Sequence, residues 1–132
     1  MSLDSVIDHD YMAVEPDMEL GQIVHKISRS HNSQLPVLDA AGKLLGEIDI
    51  RRIRHVVFRI ELYHHFKAAQ LMTRPAATLH DNQSMTEVMK VFDQTGADWL
   101  PVLNADNHMK GYISRQRIYE MYRKMVADMS QE

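Results

Sequence analysis

Cysteine is absent from this chain of 132 residues. Its absence excludes disulfides, thiol nucleophiles and thiolate metal sites, and it fits a reducing compartment. No apolar run approaches the roughly 20 residues needed to cross a bilayer, and no secretory signal is visible. Neither sign of charge is in strong excess. The formal net charge of −3 gives no global attraction to nucleic acid or anionic lipid. A glycine-rich phosphate loop is missing, and no Ser/His/Asp set can be argued from spacing. No stretch is low in complexity or reads as disordered. What remains is an ordinary soluble balance, 45% hydrophobic and 25% charged. The length suits one compact unit, or two very small ones that must lean on each other to bury a core. Met1-Ser2-Leu3 is the kind of start an expression vector leaves on a piece of a longer protein.

The strongest positive signal is an internal repeat. Leu35-Pro36-Val37-Leu38 recurs as Leu100-Pro101-Val102-Leu103, an offset of 65 from Pro36 to Pro101. The same offset carries Ala40 onto Ala105, Gly46 onto Gly111, Ile48 onto Ile113, Arg52 onto Arg117 and Ile53 onto Ile118, with no gap. Two unrelated hydrophobic strands would not match over so many positions.

Each copy reads alike. Tyr11 to Val14 and Ala76 to Leu79 are short strand candidates. A helix follows each, with apolar stripes Leu20, Ile23, Val24, Ile27 and Met85, Val88, Met89, Phe92 at helical spacing. Ser84 with Glu87 is a capping box. Its counterpart, Glu19 with Gln22, caps less well because glutamate is a poor N-cap residue, and Gly21 weakens that turn further. Hairpins are expected from Gln34 to Ile48 and from Trp99 to Ile113, turning at Asp39-Ala40-Ala41-Gly42 and Asn104-Ala105-Asp106-Asn107. A second helix starts at Asp49 in one copy and at Ser114 in the other, both good N-cap types. The order per copy is strand, helix, strand, strand, helix. Boundaries fall at 1–58 for the first repeat, 59–73 for a partly helical linker and 74–132 for the second repeat with its C-terminal helix. The fold class is α/β (α+β). Two pseudo-symmetric units with small packed sheets flanked by helices are expected, neither stable alone.

The pattern Leu-Pro-Val-Leu, turn, glycine, apolar strand, polar cap and helix resembles the cystathionine-β-synthase (CBS) domain, and two copies resemble a Bateman module. Further details are similar to the cytoplasmic C-terminal region of bacterial ClC-type chloride channels and transporters. They are Ile53-Arg54, Glu61-Leu62-Tyr63, Leu71-Met72, Val88-Met89-Lys90-Val91-Phe92, Trp99-Leu100-Pro101-Val102, Gly111-Tyr112-Ile113-Ser114-Arg115 and Tyr122-Arg123. The resemblance implies a regulatory binding module, not an enzyme. It would sit at the cytoplasmic face of the inner membrane, joined to a transmembrane domain of the same polypeptide, and be soluble as this fragment. A dehydrogenase of nucleotide metabolism is an alternative host, and a purely structural dimerisation tail an alternative role.

The resemblance also implies where a ligand would sit: at Leu35, Pro36, Asp49 and Arg52 of one repeat, and at Thr78, Leu100, Pro101, Ser114 and Arg117 of the other. In nucleotide-binding CBS domains a hydroxyl residue follows the glycine and two apolar residues, and an aspartate three residues later holds the ribose hydroxyls. Carboxylates suit that task because they accept two hydrogen bonds from a diol. Here the hydroxyl survives as Ser114 but is Asp49 in the first repeat, and the aspartate is Arg52 and Arg117. Arginine cannot accept, so the ribose clamp is missing from both clefts. No cofactor is required, and adenosine and AMP should bind weakly. An arginine at a helix start suits a nucleotide phosphate or another anion. The alternatives are a solvated charge or an intramolecular ion pair.

Other features are plainer. His64-His65 lacks a ligand set for a metal and reads as linker surface. Arg51, Arg52, Arg54 and Arg59, interleaved with Ile50, Ile53, Val56 and Val57, make an amphipathic helix rather than a nucleic-acid reader. The 10 methionines sit mostly at core spacing and suit a plastic interface. On the last helix Ile118, Met121, Tyr122 and Met125 form a stripe that Tyr119, Val126 and Met129 widen beyond one core-facing arc. Ile50, Ile53, Val56, Val57, Phe58 and Ile60 show the same excess. Such arcs point to a homodimer through Met121, Tyr122 and Met125. No nucleic-acid partner and no metal are expected.

Overall fold

The computed structural model describes residues 3–130. Met1 and Ser2 of the vector-like start lie outside the described residues, whereas Leu3 is a core residue, 3% exposed. The elements run α1 (Leu20–Ile27), β1 (Gln34–Leu38), β2 (Leu44–Asp49), α2 (Ile50–Val57), α3 (Ala68–Leu71), β3 (Leu79–His80), α4 (Met85–Thr95), β4 (Trp99–Leu103), β5 (Met109–Ser114) and α5 (Arg115–Ser130). Two short 3-10 turns, Leu3–Ser5 and Ile60–Leu62, complete the set among the described residues. The mixed α/β class holds, with small sheets flanked by helices.

Local chemistry accounts for the boundaries. At α4 the Ser84 hydroxyl accepts from the Glu87 N–H at 3.1 Å, and the Glu87 carboxylate accepts from the Ser84 N–H at 3.2 Å. At α1 only half of that exchange forms: Gln22 accepts from the Glu19 N–H at 3.0 Å. Glu19 itself makes no side-chain cap, as its chemistry foretells. Gly96, at φ 67°, ends α4 in the left-handed region and donates its N–H to Phe92 O. Asp39 Oδ1 accepts from the Ala41 and Lys43 N–H groups, both at 2.9 Å, and Gly42 takes φ 87° to close the β1–β2 turn. In the second repeat Asn104 accepts from Asp106, and Asn107 tolerates φ 64° where the first repeat has Gly42.

The opening strand of the first repeat is shorter than its sequence suggests. Only Val14 pairs, in a single parallel bridge to Val37. The equivalent strand is β3, beginning at Leu79 and pairing in parallel with β4 through Leu79↔Val102. Both contacts are the same pairing shifted by 65. β1 and β2 are antiparallel from Gln34↔Asp49 to Leu38↔Leu44, with an irregularity after Val37. β3, β4 and β5 form the other sheet in that order.

The chain divides into two compact units that interleave in sequence. One joins Asp10–Pro75 with Asn107–Met109 around Val14, Leu20, Ile23, Leu35, Val37 and Ile48. The other joins the residues up to His9 with Ala76–Asp106 and the chain from Lys110 onward. Its core is built from Leu79, Val88, Phe92, Leu100, Val102, Ile113 and Ile118, with Leu3, Val6 and Ile7 from the chain start. Each unit is thus one repeat plus the segment preceding the other. Asp8 pairs with Tyr112 in one unit, and Thr73 pairs with Glu47 in the other. Adding 65 to Asp8 gives Thr73, and subtracting 65 from Tyr112 gives Glu47, so the two exchanges are equivalent.

The repeated glycines explain themselves here. A Cβ on Gly111 would lie 2.3 Å from Asp8 O, and one on Gly46 would lie 2.9 Å from Met72 Sδ and 3.1 Å from Thr73 O. In both repeats a glycine lets the visiting segment press against the sheet.

Candidate ligand cavity of the second repeat

β5 ends at Ser114, whose hydroxyl accepts from the Arg117 N–H at 3.0 Å and so caps α5. That cap leaves a neutral group at the positive end of a helix of 16 residues. Arg117 projects from the first turn, exposed, with its Nη1 3.9 Å from a Glu120 carboxylate oxygen. The ion-pair alternative for Arg117 is therefore realised at the outer limit of reach, where exposed pairs contribute little. Ser114 and Arg117 line a cavity of about 360 Å³ with Trp99 and the visiting residues Ser5, Val6, Ile7 and Asp8. The Trp99 indole stands edge-on to Tyr112, with centroids 6.4 Å apart at 82°. Arg117 and Asp8 are the charged residues of the lining.

A larger hollow of about 760 Å³ shares Trp99 and Ser114 and adds Asp98, Arg115, Gln116, Tyr119 and Arg123. Arg115 is engaged elsewhere. Its guanidinium donates to Ala97 O at 3.0 Å and Phe92 O at 2.5 Å and lies 6.0 Å from the Phe92 ring centroid. It meets Ala97 O just past α4 and adds a further donor to Phe92 O, which the Gly96 N–H already reaches. Tyr119 donates its hydroxyl to Asp93, which holds the phenol proton on and raises its pKa.

The first repeat is built differently at the same place. Asp49 caps α2 by accepting from the Arg51 N–H at 2.9 Å, and both its oxygens meet the Arg51 guanidinium at 3.2 Å. Partial burial pushes the Asp49 carboxyl up. The Arg51 hydrogen bonds and the charges of Arg51 and Arg52 outweigh that and hold it below the usual carboxylate range. The α2 N-terminus already carries its own anion, and a second one would meet like charge. Arg52 is exposed at this helix start.

The other expected site residues separate into two groups. Leu35 and Leu100 are fully buried in their cores, so their side chains pack and do not face a ligand. Pro36 and Pro101 are buried with them, and Thr78 is exposed just before β3. His64 lies 3.4 Å from Glu19. No group of three metal-capable side chains occurs among the described residues. On α5 only Ile118 is buried. Met121 and Met125 are half-buried, and Tyr122, Val126 and Met129 are exposed. The apolar excess near α2 resolves otherwise than expected. Ile53, Val56 and Val57 belong to the core, and the surplus is Phe58 and Ile60, 87% and 74% exposed beyond the helix end. Sequence reasoning missed Ser5 to Asp8 as cavity residues. The offset could have found them, because it places residues 5–8 opposite 70–73 before the second repeat.

No described helix is long and apolar enough to cross a membrane. The family model for the CBS domain matches residues 3–59 and again 68–124. The chain is 24% identical over 115 residues to the inosine-5'-monophosphate dehydrogenase of Methanocaldococcus jannaschii, covering 87% of this chain and 22% of that enzyme. It therefore spans about a fifth of that relative's length. Among solved structures, a CBS domain-containing protein from Bacillus anthracis superposes with a TM-score of 0.81 at 19% identity, over 94% of each chain. The cytosolic domain of the Mg2+ channel MgtE, in complex with ATP, does so with a TM-score of 0.76 at 15% identity, over 91% of this chain and 48% of that one.

Proposed function

Because the chain belongs to the CBS-domain family and carries two copies in tandem, we propose that it is a non-catalytic regulatory module whose second repeat senses an anionic ligand. The difference between the two helix starts carries this reading. Ser114 caps α5 with a neutral hydroxyl, and Arg117 adds a guanidinium beside an open cavity that Asp8 also lines, whereas the charged pair of Asp49 and Arg51 closes off the first start. With Arg117 in place of a diol acceptor, the phosphate end of a ligand contributes more than its ribose. We further propose that the module serves a ClC-type chloride channel or transporter. There it would lie at the cytoplasmic face of the inner membrane, attached to the transmembrane domain of the same polypeptide, and pair with a second copy through Met121, Tyr122 and Met125. The stretches named above support that host, and the MgtE domain is a precedent for such a pair serving a channel. A ligand would modulate transport by binding two packings of the module unequally.

Calorimetry at matched ionic strength tests the sensor. ATP and inorganic pyrophosphate should bind, and Arg117→Ala should abolish the heat while Arg52→Ala leaves it. Adenosine should bind weakly or not at all. Tight adenosine binding that survives Arg117→Ala would sink the anion reading. A regulatory pair within an enzyme of nucleotide metabolism is the second reading, favoured by the dehydrogenase relative. The sequence upstream of Met1 in the gene decides between hosts: apolar helices mean a channel, a soluble catalytic domain means an enzyme.

A further inference from the structure

We propose that residues 3–9 act as a ligand-coupled strap, so that an anion in the Ser114–Arg117 cavity and the docking of this segment on β5 reinforce each other. The inference rests on the anion reading above and adds a moving part to it. Three observations carry it. First, the strap is a wall of the cavity: Ser5, Val6, Ile7 and Asp8 line it opposite Trp99, Ser114 and Arg117. A cavity with one wall removed holds its ligand less well, so only the strapped form presents the complete site. Second, the strap is held by separable contacts. Asp8 donates to Tyr112 O at 2.7 Å and accepts from the Tyr112 N–H at 3.0 Å. Leu3, Val6 and Ile7 are buried. Lys110 bridges Asp4 at 3.1 Å and Asp81 at 3.3 Å. Third, the strap joins its unit only at one end of the sequence and is divided from the rest of that unit by Asp10–Pro75. A short segment bridged at a single residue pair to the edge strand β5 opens at lower cost than the interior strands.

Linkage makes the consequence reciprocal. If strap docking strengthens anion binding by some factor, the anion strengthens docking by the same factor. Anything joined ahead of residue 3 would then feel the ligand through the strap without touching it. The strap lines the ligand cavity, and it is the stretch through which a segment joined ahead of residue 3 would connect to this unit.

The test combines calorimetry with hydrogen–deuterium exchange on the full chain, using inorganic pyrophosphate as probe. Pyrophosphate should slow exchange at the Asp8 amide and neighbouring strap amides in the wild type, and not in Arg117→Ala. Leu3→Ala, which loosens the strap outside the cavity lining, should raise the pyrophosphate Kd by roughly three- to tenfold as the competent population falls. Should Leu3→Ala fail to fold, the surface change Asp4→Ala, which removes the Lys110 tie, makes the same comparison. Heat of binding with unchanged strap exchange and unchanged Kd in the loosened variants would overturn the coupling and leave the anion reading standing. No heat with pyrophosphate or ATP would remove the anion reading, and the coupling with it.

Discussion

Alanine at position 111 should be far more damaging than alanine at position 46, although the two glycines are equivalent in the repeat. Neither has a positive φ, so Gly→Ala by itself should stabilise slightly, by about 0.4–1 kcal/mol, through the unfolded chain. Packing decides the sign. At Gly111 the new Cβ would stand 2.3 Å from a backbone oxygen, Asp8 O, and 2.7 Å from Ile7 Cγ2. Backbone cannot rotate away as a side chain does, so the strap must shift by about an ångström. That breaks or lengthens both Asp8–Tyr112 hydrogen bonds, each about 1 kcal/mol net. Overpacking around Ile7 adds about 1–3 kcal/mol. After the unfolded-state gain, Gly111→Ala should cost about 2–4 kcal/mol. At Gly46 the nearest atom is Met72 Sδ at 2.9 Å, the end of a flexible side chain, with Thr73 O at 3.1 Å. Gly46→Ala should cost about 1 kcal/mol or less, because thioether rotamers adapt. Urea unfolding followed by intrinsic fluorescence suits the comparison. The single tryptophan, Trp99, lies in the same unit as Gly111, and far-ultraviolet circular dichroism reports both units. Equal losses at the two positions, or a Gly111→Ala variant as stable as wild type, would refute the claim that strap contact dictates this glycine.

Two further outcomes follow from the same structure. Asp49 has its carboxyl pKa lowered on folding, so its contribution is present above the unfolded value of about 3.9 and is lost as pH falls through the folded value. Asp49→Asn should accordingly be less stable than wild type at pH 7, and the gap should narrow as pH falls below about 4; a gap that does not narrow between about pH 4 and about pH 2.5 would show that charge is not the cause. For the proposed homodimer, light scattering should find two chains at micromolar concentration, and Met125→Glu should give one; a wild-type monomer would refute the pairing through α5.

The fold was legible because two independent copies of one pattern constrain each other. A strand guess at Leu100 is weak alone and firm when Leu35 repeats it, and both prove to be buried core positions. Cap chemistry was equally readable: Ser84, Asp49 and Ser114 each accept the N–H that their side chains suit, and Glu19 does not. Periodicity failed where helix and loop share a composition. The arc from Ile50 to Ile60 looked too wide for one core because Phe58 and Ile60 looked helical, whereas α2 stops at Val57 and only Ile53, Val56 and Val57 are buried in the core. The site was half visible. Arg117 and Ser114 stand where the sequence put them. Residues 5–8 were not seen, because a contact between Asp8 and Tyr112 spans most of the chain and leaves no local signature at either end.

The reciprocal exchange of segments has a bearing on how such a chain could have arisen. A single ancestral repeat with its own leading segment would carry a core lacking one strand and a strand lacking a core. Two such chains would satisfy each other by trading leaders, a domain-swapped pair held in register by the glycine opposite each visitor. Joining them end to end keeps every contact, and one leader becomes the stretch between the repeats. The fused chain is then free to let its halves diverge, as Asp49 and Ser114 have, with the swap itself keeping either half from being lost.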